Sequence, residues 1–229
     1  MNKNIFWLVA LMVTCSLGFS SCAEDTAVED PYANWEARND HYLDSIVNLA
    51  RKNADGQWYC VPNYKISIDN GMSGGILVPS GEDMDMTDSI YVHFYTKAET
   101  TESAPLFTDS VSVYYNGWFI NGEKFDGNYQ GTWQDGYTDE IYSPTTFAVQ
   151  GVVAGWQTAL MEAKESVGYK GMRPGDRADI HIPYQMAYGE SGYGDIQGHS
   201  VLKFHMKVEK VIHPEGPDDR SLEASAATE

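Results

Sequence analysis

Apolar residues recur with a helical period near the start of this chain. Between Asn34 and Asn53 they are spaced by seven, four, three and one positions, which places them along one side of a helix. These residues are Trp35, Tyr42, Ile46, Leu49 and Ala50. Asn34 is a candidate N-cap, and Asn53 with Gly56 marks a candidate end. The pattern predicts a helix whose apolar stripe packs on the domain that follows, with dimerisation through the stripe as the alternative.

Further along, apolar and polar residues alternate with the period of a strand. The alternation predicts strands at Ser89–Thr96 and Thr108–Phe119, and the second places Val111, Val113 and Tyr115 on one face. Asn121-Gly122 is a strong signal for a hairpin turn, so Glu123–Asp126 begins a return strand. Other strand-like segments are Tyr64–Ile68, Gly75–Val78, Arg177–Pro183 and Val201–Ile212, and Gly155–Lys164 has helical spacing.

The segment Gly127–Ser143 follows neither period. It carries Tyr129, Trp133, Tyr137 and Tyr142 among glycine, aspartate and glutamine residues. One interpretation is an insertion whose aromatic side chains pack on the domain. The other is an aromatic flap beside a binding pocket, and the sequence favours the two about equally.

Residues 1–21 have the pattern of a bacterial secretory signal. Lys3 lies in a polar start, Ile5–Val13 is an apolar run too short to anchor in a bilayer, and Phe19–Cys22 has the form of a lipobox. Cys22 is then the first mature residue and carries acyl chains that hold the protein on a membrane. An ordinary cleaved signal is the alternative. We expect an outer-membrane lipoprotein on the periplasmic or cell-surface side.

The chain is strongly acidic, with 33 Asp and Glu against 15 Lys and Arg and a formal net charge of −18. Removal of residues 1–21 takes away only Lys3 among the charged residues, which changes −18 to −19. This charge argues against nucleic acid and anionic lipid as partners, so the lipid anchor would be the only link to the membrane. Residues 22–33 form an acidic tether, and we expect the acidic tail at 214–229 to be disordered.

Two further features argue against metal and disulfide chemistry. Asp83–Asp88 alternates acidic residues as a calcium loop does, but Phe94 stands where such a loop needs a glutamate, so an acidic turn is the better interpretation. Cys15 leaves with the signal and Cys22 is lipidated, so Cys60 has no disulfide partner. We expect Cys60 to be a buried structural thiol.

Short motifs stand in a fixed order in the second half of the chain. They are V-S-V-Y-Y-N-G at 111–117 with N-G-E-K-F-D at 121–126, F-A-V-Q-G-V-V-A-G-W at 147–156, M-R-P-G-D-R at 172–177 with I-P-Y-Q-M-A-Y-G at 182–189, and I-Q-G-H-S-V-L-K-F at 196–204. In this order they closely resemble the FKBP-type peptidyl-prolyl isomerases. The spacing from Phe147 to Trp156 is that of the macrophage-infectivity-potentiator-like members.

The resemblance implies an α+β fold in which a half-open, twisted antiparallel sheet wraps around a short helix. The FKBP-like domain would cover residues 89–213, and residues 34–88 would extend it with the N-terminal helix and extra strands. Catalysis of this kind needs no nucleophile, metal or cofactor, because the enzyme only has to favour the twisted amide over both planar forms.

The resemblance also implies an aromatic pocket that holds the proline ring of a substrate, with Trp156 as its floor. Tyr115, Asp126 and Tyr188 would be the catalytic residues. The substrate-binding residues would be Phe125, Phe147, Val152, Val153, Trp156, Ile196 and Phe204. Expected partners are proline-containing polypeptides, as in the folding of exported proteins, and macrolides of the FK506 type. A catalytically weak, FKBP-like peptide- or ligand-binding lipoprotein is the alternative.

This chain departs from the family's pattern at two places near the pocket. The family often has an arginine shortly after the Phe-Asp pair, whereas here no basic residue occurs between Asp126 and Lys164. Either a hydroxyl group takes the place of that arginine beside Asp126, or the role of Asp126 is altered. The loop Glu190–Gly198 is one residue shorter than in the commonest members and carries Tyr193 in its middle.

Overall fold

The computed structural model describes residues 30–65, 87–134, 140–163 and 167–214 of the 229-residue chain. The chain from Asn34 onward forms one compact unit, whose described residues are the subject here. Within these residues, no helix combines the length and the apolar character that crossing a membrane requires.

The described residues of this unit form two α-helices and seven strands. The helices are α1 (Trp35–Lys52) and α2 (Ala154–Leu160), and the strands are β1 (Trp58–Pro62), β2 (Ser89–Thr96), β3 (Ser110–Trp118), β4 (Lys124–Gly127), β5 (Thr145–Ala148), β6 (Arg177–Ile182) and β7 (Leu202–Ile212). Short 3₁₀ turns at Val149–Gly151 and Tyr184–Met186 precede α2 and follow β6. The predicted α+β class is confirmed.

All seven strands join one antiparallel sheet in the order β1-β2-β6-β7-β3-β4, and β5 pairs with the first half of β3. The strand predicted at Ser89–Thr96 has those bounds, and the other long strands differ from expectation by a few residues at their ends. The two strands predicted at Tyr64–Ile68 and Gly75–Val78 lie almost wholly outside the described residues, as does most of Asp83–Asp88. Tyr64 itself stands in a helical turn, and the strand in this region is β1.

The inner face of the sheet wraps around α2. Val111 and Val113 on β3 are completely buried on this face, and Ile182 at the end of β6 packs against Gly155 of the helix. A Cβ atom at position 155 would lie 2.3 Å from Ile182 Cγ2, so only glycine allows this approach of helix to strand. The helix ends at Leu160, four residues earlier than its spacing predicted.

The N-terminal helix α1 packs on one end of the outer face of the sheet. Trp35 donates its indole N–H to Ser200 Oγ at 2.9 Å, and Asn39 Oδ1 accepts the Val201 backbone N–H at 2.7 Å. The predicted docking of this helix on the domain is confirmed. The expected apolar stripe is confirmed at Trp35 and Ile46, which are buried, and wrong at Leu49, which is 50% exposed. Leu43 and Val47 are also buried and were not predicted.

The described part of the insertion at 127–143 packs on the other end of the outer face. Trp133 lies edge-on to Tyr114 of β3 and 6.2 Å from the imidazole of His205 on β7. Tyr129 is buried beneath it. These contacts confirm the packing interpretation for the described residues and contradict the aromatic flap, because the binding pocket lies on the inner face.

Cys60 is half-buried in β1 rather than fully buried, and it is a free thiol. Burial raises the pKa of this thiol above its usual value. A protonated thiol is a poor nucleophile, which agrees with the expected structural role.

Candidate functional site

An aromatic cavity of about 350 Å³ opens on the inner face of the sheet. Its walls come from β3, β4, β5 and β7, and its base comes from α2 and the 3₁₀ turn before it. The lining residues are Tyr115, Phe125, Asp126, Phe147, Gly151, Val152, Val153, Trp156, Tyr188 and Phe204. We call this cavity the inner pocket.

Trp156 holds the aromatic walls in place from the floor of the inner pocket. The rings of Tyr115, Phe147 and Phe204 meet the indole edge-to-face, with centroid distances of 5.2, 5.4 and 5.2 Å. This is a favourable geometry for aromatic rings, and Trp156 itself is only 4% exposed. The floor and three walls therefore form one rigid apolar surface.

Gly117 makes room for one of these walls. A Cβ atom at this position would lie 2.7 Å from both Phe125 Cζ and Phe204 Cε1. The absence of a side chain on β3 lets the two rings meet edge-to-face at 5.5 Å above the strand. A larger residue at position 117 would push them into the cavity.

Asp126 stands at the rim of the inner pocket without an arginine partner. Its Oδ2 accepts the Tyr115 hydroxyl at 2.9 Å, and its Oδ1 accepts the Gly127 backbone N–H at 2.7 Å. No ion pair joins Asp126 to a cationic residue in the described ranges. Of the two alternatives left open by the sequence, the structure has the hydroxyl partner.

Tyr188 lies on the opposite side of the mouth and contributes a second hydroxyl group. Burial raises the pKa of Tyr188, and the nearby charge of Asp126 raises it further. Burial also raises the pKa of Tyr115, with its hydrogen bond to Asp126 as the second cause. Both phenols therefore keep their protons at neutral pH. The Tyr115 proton is donated to Asp126, whereas the Tyr188 hydroxyl is available as a hydrogen-bond donor to a ligand.

The structure brings together nine of the ten residues predicted for this site. Ile196 does not line the inner pocket; it is half-buried in the loop after Tyr188, where its backbone pairs with Tyr193. The loop folds tightly because Gly198 crosses Glu190, leaving no space for a Cβ atom. This crossing closes the loop on itself and turns Ile196 away from the lining.

Two features of the site were not among the predicted residues. Gly151 lines the inner pocket through its position in the 3₁₀ turn, and no sequence signal marks it. Tyr193, noted only as an unusual loop residue, stacks on Tyr188 with a centroid distance of 5.6 Å and an interplanar angle of 14°. Its side chain is 73% exposed, so it extends the aromatic surface beyond the cavity.

The arrangement suits non-covalent binding of a compact apolar ring flanked by polar groups. The cavity supplies aromatic and branched aliphatic walls, while the Tyr188 hydroxyl and the hydrogen-bonded pair of Tyr115 and Asp126 stand at its mouth. Within the described ranges, no group of three or more His, Cys, Asp or Glu residues could hold a metal ion.

Comparisons with known proteins agree with this geometry. The model of the FKBP-type peptidyl-prolyl cis-trans isomerase family matches residues 101–209. The peptidyl-prolyl cis-trans isomerase Mip of Coxiella burnetii is 35% identical over 95 residues, which are 42% of this chain and 33% of that protein. The isomerase FkpA of Escherichia coli K12 is 30% identical over 123 residues, which are 54% of this chain and 38% of that protein. The chain thus spans little more than a third of the length of these relatives.

A solved structure is also similar in part. The peptidyl-prolyl cis-trans isomerase of Pseudomonas syringae pv. tomato aligns with 74% of this chain and 96% of its own, at 22% identity and a TM-score of 0.42.

Proposed function

We propose that this chain, whose residues 101–209 belong to the FKBP-type peptidyl-prolyl cis-trans isomerase family, catalyses rotation about X-Pro peptide bonds. The observation that carries the proposal is the inner pocket itself. It joins an apolar cavity of about 350 Å³ to the hydroxyl groups of Tyr115 and Tyr188 and the carboxylate of Asp126.

The chemistry requires no covalent intermediate. Amide resonance sets a barrier of about 18–20 kcal/mol to rotation, and unassisted X-Pro isomerisation takes roughly tens of seconds or more. An enzyme accelerates it by binding the twisted amide more tightly than either planar form. Trp156, Phe147 and Phe204 hold the proline ring and exclude water, which otherwise stabilises the more polar planar amide.

The polar rim holds the rest of the peptide during rotation. The Tyr188 hydroxyl and the Val153 backbone N–H donate to substrate carbonyl groups, as the resemblance to the family implies. Asp126 stands beside the carbonyl group that rotates, and Tyr115 fixes its carboxylate. As the bond twists, the prolyl nitrogen loses its conjugation with the carbonyl group. The polar groups of the rim are already fixed in place, so they need no reorganisation when this happens.

A protease-coupled assay on Ala-X-Pro-Phe peptides tests the activity. The full chain should accelerate cis-to-trans conversion for at least several residues X, and Tyr188→Phe and Asp126→Val should each slow it. Tyr95→Phe, which removes a hydroxyl from the outer face of the sheet, is the matched control and should keep the wild-type rate. Background rates for every X would reject the proposal.

Proline-containing segments of exported proteins are the proposed substrates. The inner pocket accepts one proline ring and makes few other specific contacts with the substrate inside the cavity. This suits a catalyst that acts on many unfolded chains. Macrolides of the FK506 type present a ring of similar size, so we propose that they compete for the same pocket. Addition of FK506 should inhibit turnover and quench Trp156 fluorescence together.

The proposed location is the outer membrane, with the protein anchored through acyl chains on Cys22. The support is the sequence pattern of residues 1–22, which lie outside the described residues. Two acyl signals or more are needed for stable anchoring, and a processed lipobox cysteine supplies them. If the anchored protein is exported beyond the periplasm it lies on the cell surface, and if it is retained it faces the periplasm.

Metabolic labelling with a palmitate analogue tests the anchor. The wild-type chain should incorporate label and partition into detergent, whereas Cys22→Ala should do neither. Protease treatment of intact cells then distinguishes the two sides, because only a surface-exposed protein is released. Labelling that survives Cys22→Ala would contradict the proposed site of attachment.

A further inference from the structure

A second cavity, of about 320 Å³, lies on the outer face of the sheet, opposite the inner pocket. It opens between Tyr95 on β2 and the insertion, and its floor is formed by side chains of β6 and β7. Its size is at the lower end of the range for small-molecule sites. We call this cavity the outer pocket, and the isomerase function proposed above makes no use of it.

The floor of the outer pocket is an ordered polar cluster centred on Asp179. This carboxylate is 5% exposed and accepts hydrogen bonds from the Tyr95 hydroxyl at 2.9 Å and from His205 Nδ1 at 2.9 Å. Lys203 Nζ lies 2.8 Å from Asp179 Oδ2. Burial alone would raise the pKa of Asp179, but the hydrogen bond from His205 and the charge of Lys203 lower it well below its usual range. The floor therefore carries an ionised carboxylate.

The ionised carboxylate fixes the tautomer of His205. Because Asp179 can only accept, His205 Nδ1 must carry a proton, which leaves Nε2 as the second polar atom of the ring. This Nε2 atom is buried and has no hydrogen-bond partner within the described part of the chain. Buried polar atoms without partners are rare in native proteins.

Other polar groups stand beside His205 Nε2. Lys203 has three N–H donors, of which Asp179 takes one, and its side chain is 37% exposed. Arg177 also lines the cavity, and Thr132 adds an exposed hydroxyl at the edge. The outer pocket thus offers a ring nitrogen, cationic donors and a hydroxyl group to one ligand.

The walls of the outer pocket are aromatic. Tyr95 and Trp133 stand on either side of the His205 imidazole, at 5.4 and 6.2 Å between ring centroids. Trp118 completes the lining, and Tyr95 is 51% exposed, so ring faces are accessible at the mouth. Such rings combine a large apolar face with a polar edge.

We propose that the outer pocket binds the pyranose ring of a neutral sugar, either free or as a unit of a glycan. The C–H groups of a pyranose pack on aromatic faces, and its hydroxyl groups, which both donate and accept, pair with His205 Nε2 and with Lys203. A wholly apolar ligand would leave His205 Nε2 unpaired, which is costly. A hydroxyl-bearing ring matches both parts of the site.

Saturation-transfer NMR and calorimetry with the full chain test this site. The probes are glucose, galactose, mannose and N-acetylglucosamine, followed by short oligomers of any sugar that binds. Comparing the affinity of the oligomers with that of the single sugar distinguishes a free sugar from a unit of a glycan. At least one probe should bind, and Tyr95→Ala and Trp118→Ala should each weaken it about tenfold or more. Tyr193→Ala removes an exposed tyrosine from the loop beside the inner pocket and should leave sugar affinity unchanged.

Two results would overturn the inference. One is the absence of saturation transfer to every sugar. The other is binding of proline-free peptides that Tyr95→Ala abolishes, which would assign the outer pocket to a polypeptide. Isomerase activity is measured on Tyr95→Ala and Trp118→Ala and should stay at the wild-type level, so a failure of this site is distinguishable from a failure of the isomerase proposal.

Discussion

The Tyr115 hydroxyl donates a 2.9 Å hydrogen bond to Asp126 Oδ2 across the β3–β4 hairpin. This hydroxyl group pairs with the aspartate as an arginine often does in the family that the chain resembles. A phenol fixes the orientation of the carboxylate without neutralising its charge, whereas a guanidinium would do both. Asp126 is therefore held at the rim of the inner pocket by a neutral hydroxyl partner.

Removal of this hydroxyl should lower catalytic efficiency. Tyr115→Phe keeps the aromatic wall but leaves Asp126 with only the Gly127 N–H as a partner. Loss of a hydrogen bond to a charged group costs about 1.5–3 kcal/mol, so kcat/KM should fall roughly tenfold or more. Tyr114→Phe is the matched control, because its hydroxyl bonds Tyr142 on the outer face. Equal rates for the two variants would remove Tyr115 from the mechanism.

Packing between α2 and β6 should make Gly155 intolerant of a methyl group. In Gly155→Ala the new Cβ would lie 2.3 Å from Ile182 Cγ2, and Ile182 is completely buried. Overpacking of this kind costs about 1–3 kcal/mol, measurable by urea denaturation. Gly151→Ala is the control, because the nearest atom to its Cβ lies at 3.9 Å. The prediction fails if both variants unfold at the same urea concentration.

The contact between α1 and the sheet should depend on Asn39. Its amide nitrogen donates to the Trp35 carbonyl group, and its Oδ1 accepts from the Val201 N–H, all in a buried setting. Asn39→Ala leaves the Val201 N–H unpaired, which costs about 1–3 kcal/mol. The exposed Asn48 on the same helix provides the control, Asn48→Ala, which should be nearly neutral. Hydrogen exchange at the Val201 amide should also accelerate in Asn39→Ala alone.

His181 should make the fold sensitive to mild acid. Burial lowers the pKa of this histidine from 6.5 to about 4, and Tyr42 approaches its Nδ1 at 2.8 Å. The unfolded chain binds a proton between pH 6.5 and about 4 while the folded chain does not, so stability falls as the pH falls through this window. The full effect is on the order of 3 kcal/mol.

Urea denaturation at several pH values between 6.5 and 4.5 measures this loss. His181→Gln keeps a polar partner for Tyr42 and should flatten the dependence, whereas His41→Gln, at an exposed position of α1, should retain it. An unchanged pH dependence in His181→Gln would assign the acid sensitivity to other groups.

The sheet and the inner pocket could be predicted because local patterns determine them. Apolar and polar residues alternate strictly along Ser89–Thr96, and the strand lies between two neighbouring strands of the sheet. The predicted bounds therefore agree with the observed ones. The pocket residues come from short motifs that lie on strands or beside α2, where the pairing of β3 with β4 and β7 brings them together.

The errors concern contacts that depend on distant parts of the chain. On helix α1 the helical period placed Leu49 in the apolar stripe, whereas Leu43 and Val47 are buried in a cluster with the distant residues Tyr91 and Val201. The insertion packs on the outer face because Tyr114 and His205 meet there, which depends on the β3–β7 register. Ile196 leaves the lining because Gly198 crosses Glu190, a backbone contact with no local signal.

Exchange NMR on an Ala-Leu-Pro-Phe peptide tests the isomerase proposal most directly, because it observes the cis and trans signals without a coupling enzyme. Catalytic amounts of the full chain should raise the exchange rate well above background. Phe147→Ala, on the inner face, should lose most of this acceleration, whereas Trp118→Ala, on the outer face, should keep it. An exchange rate with the wild-type chain equal to that of the peptide alone would contradict the proposal.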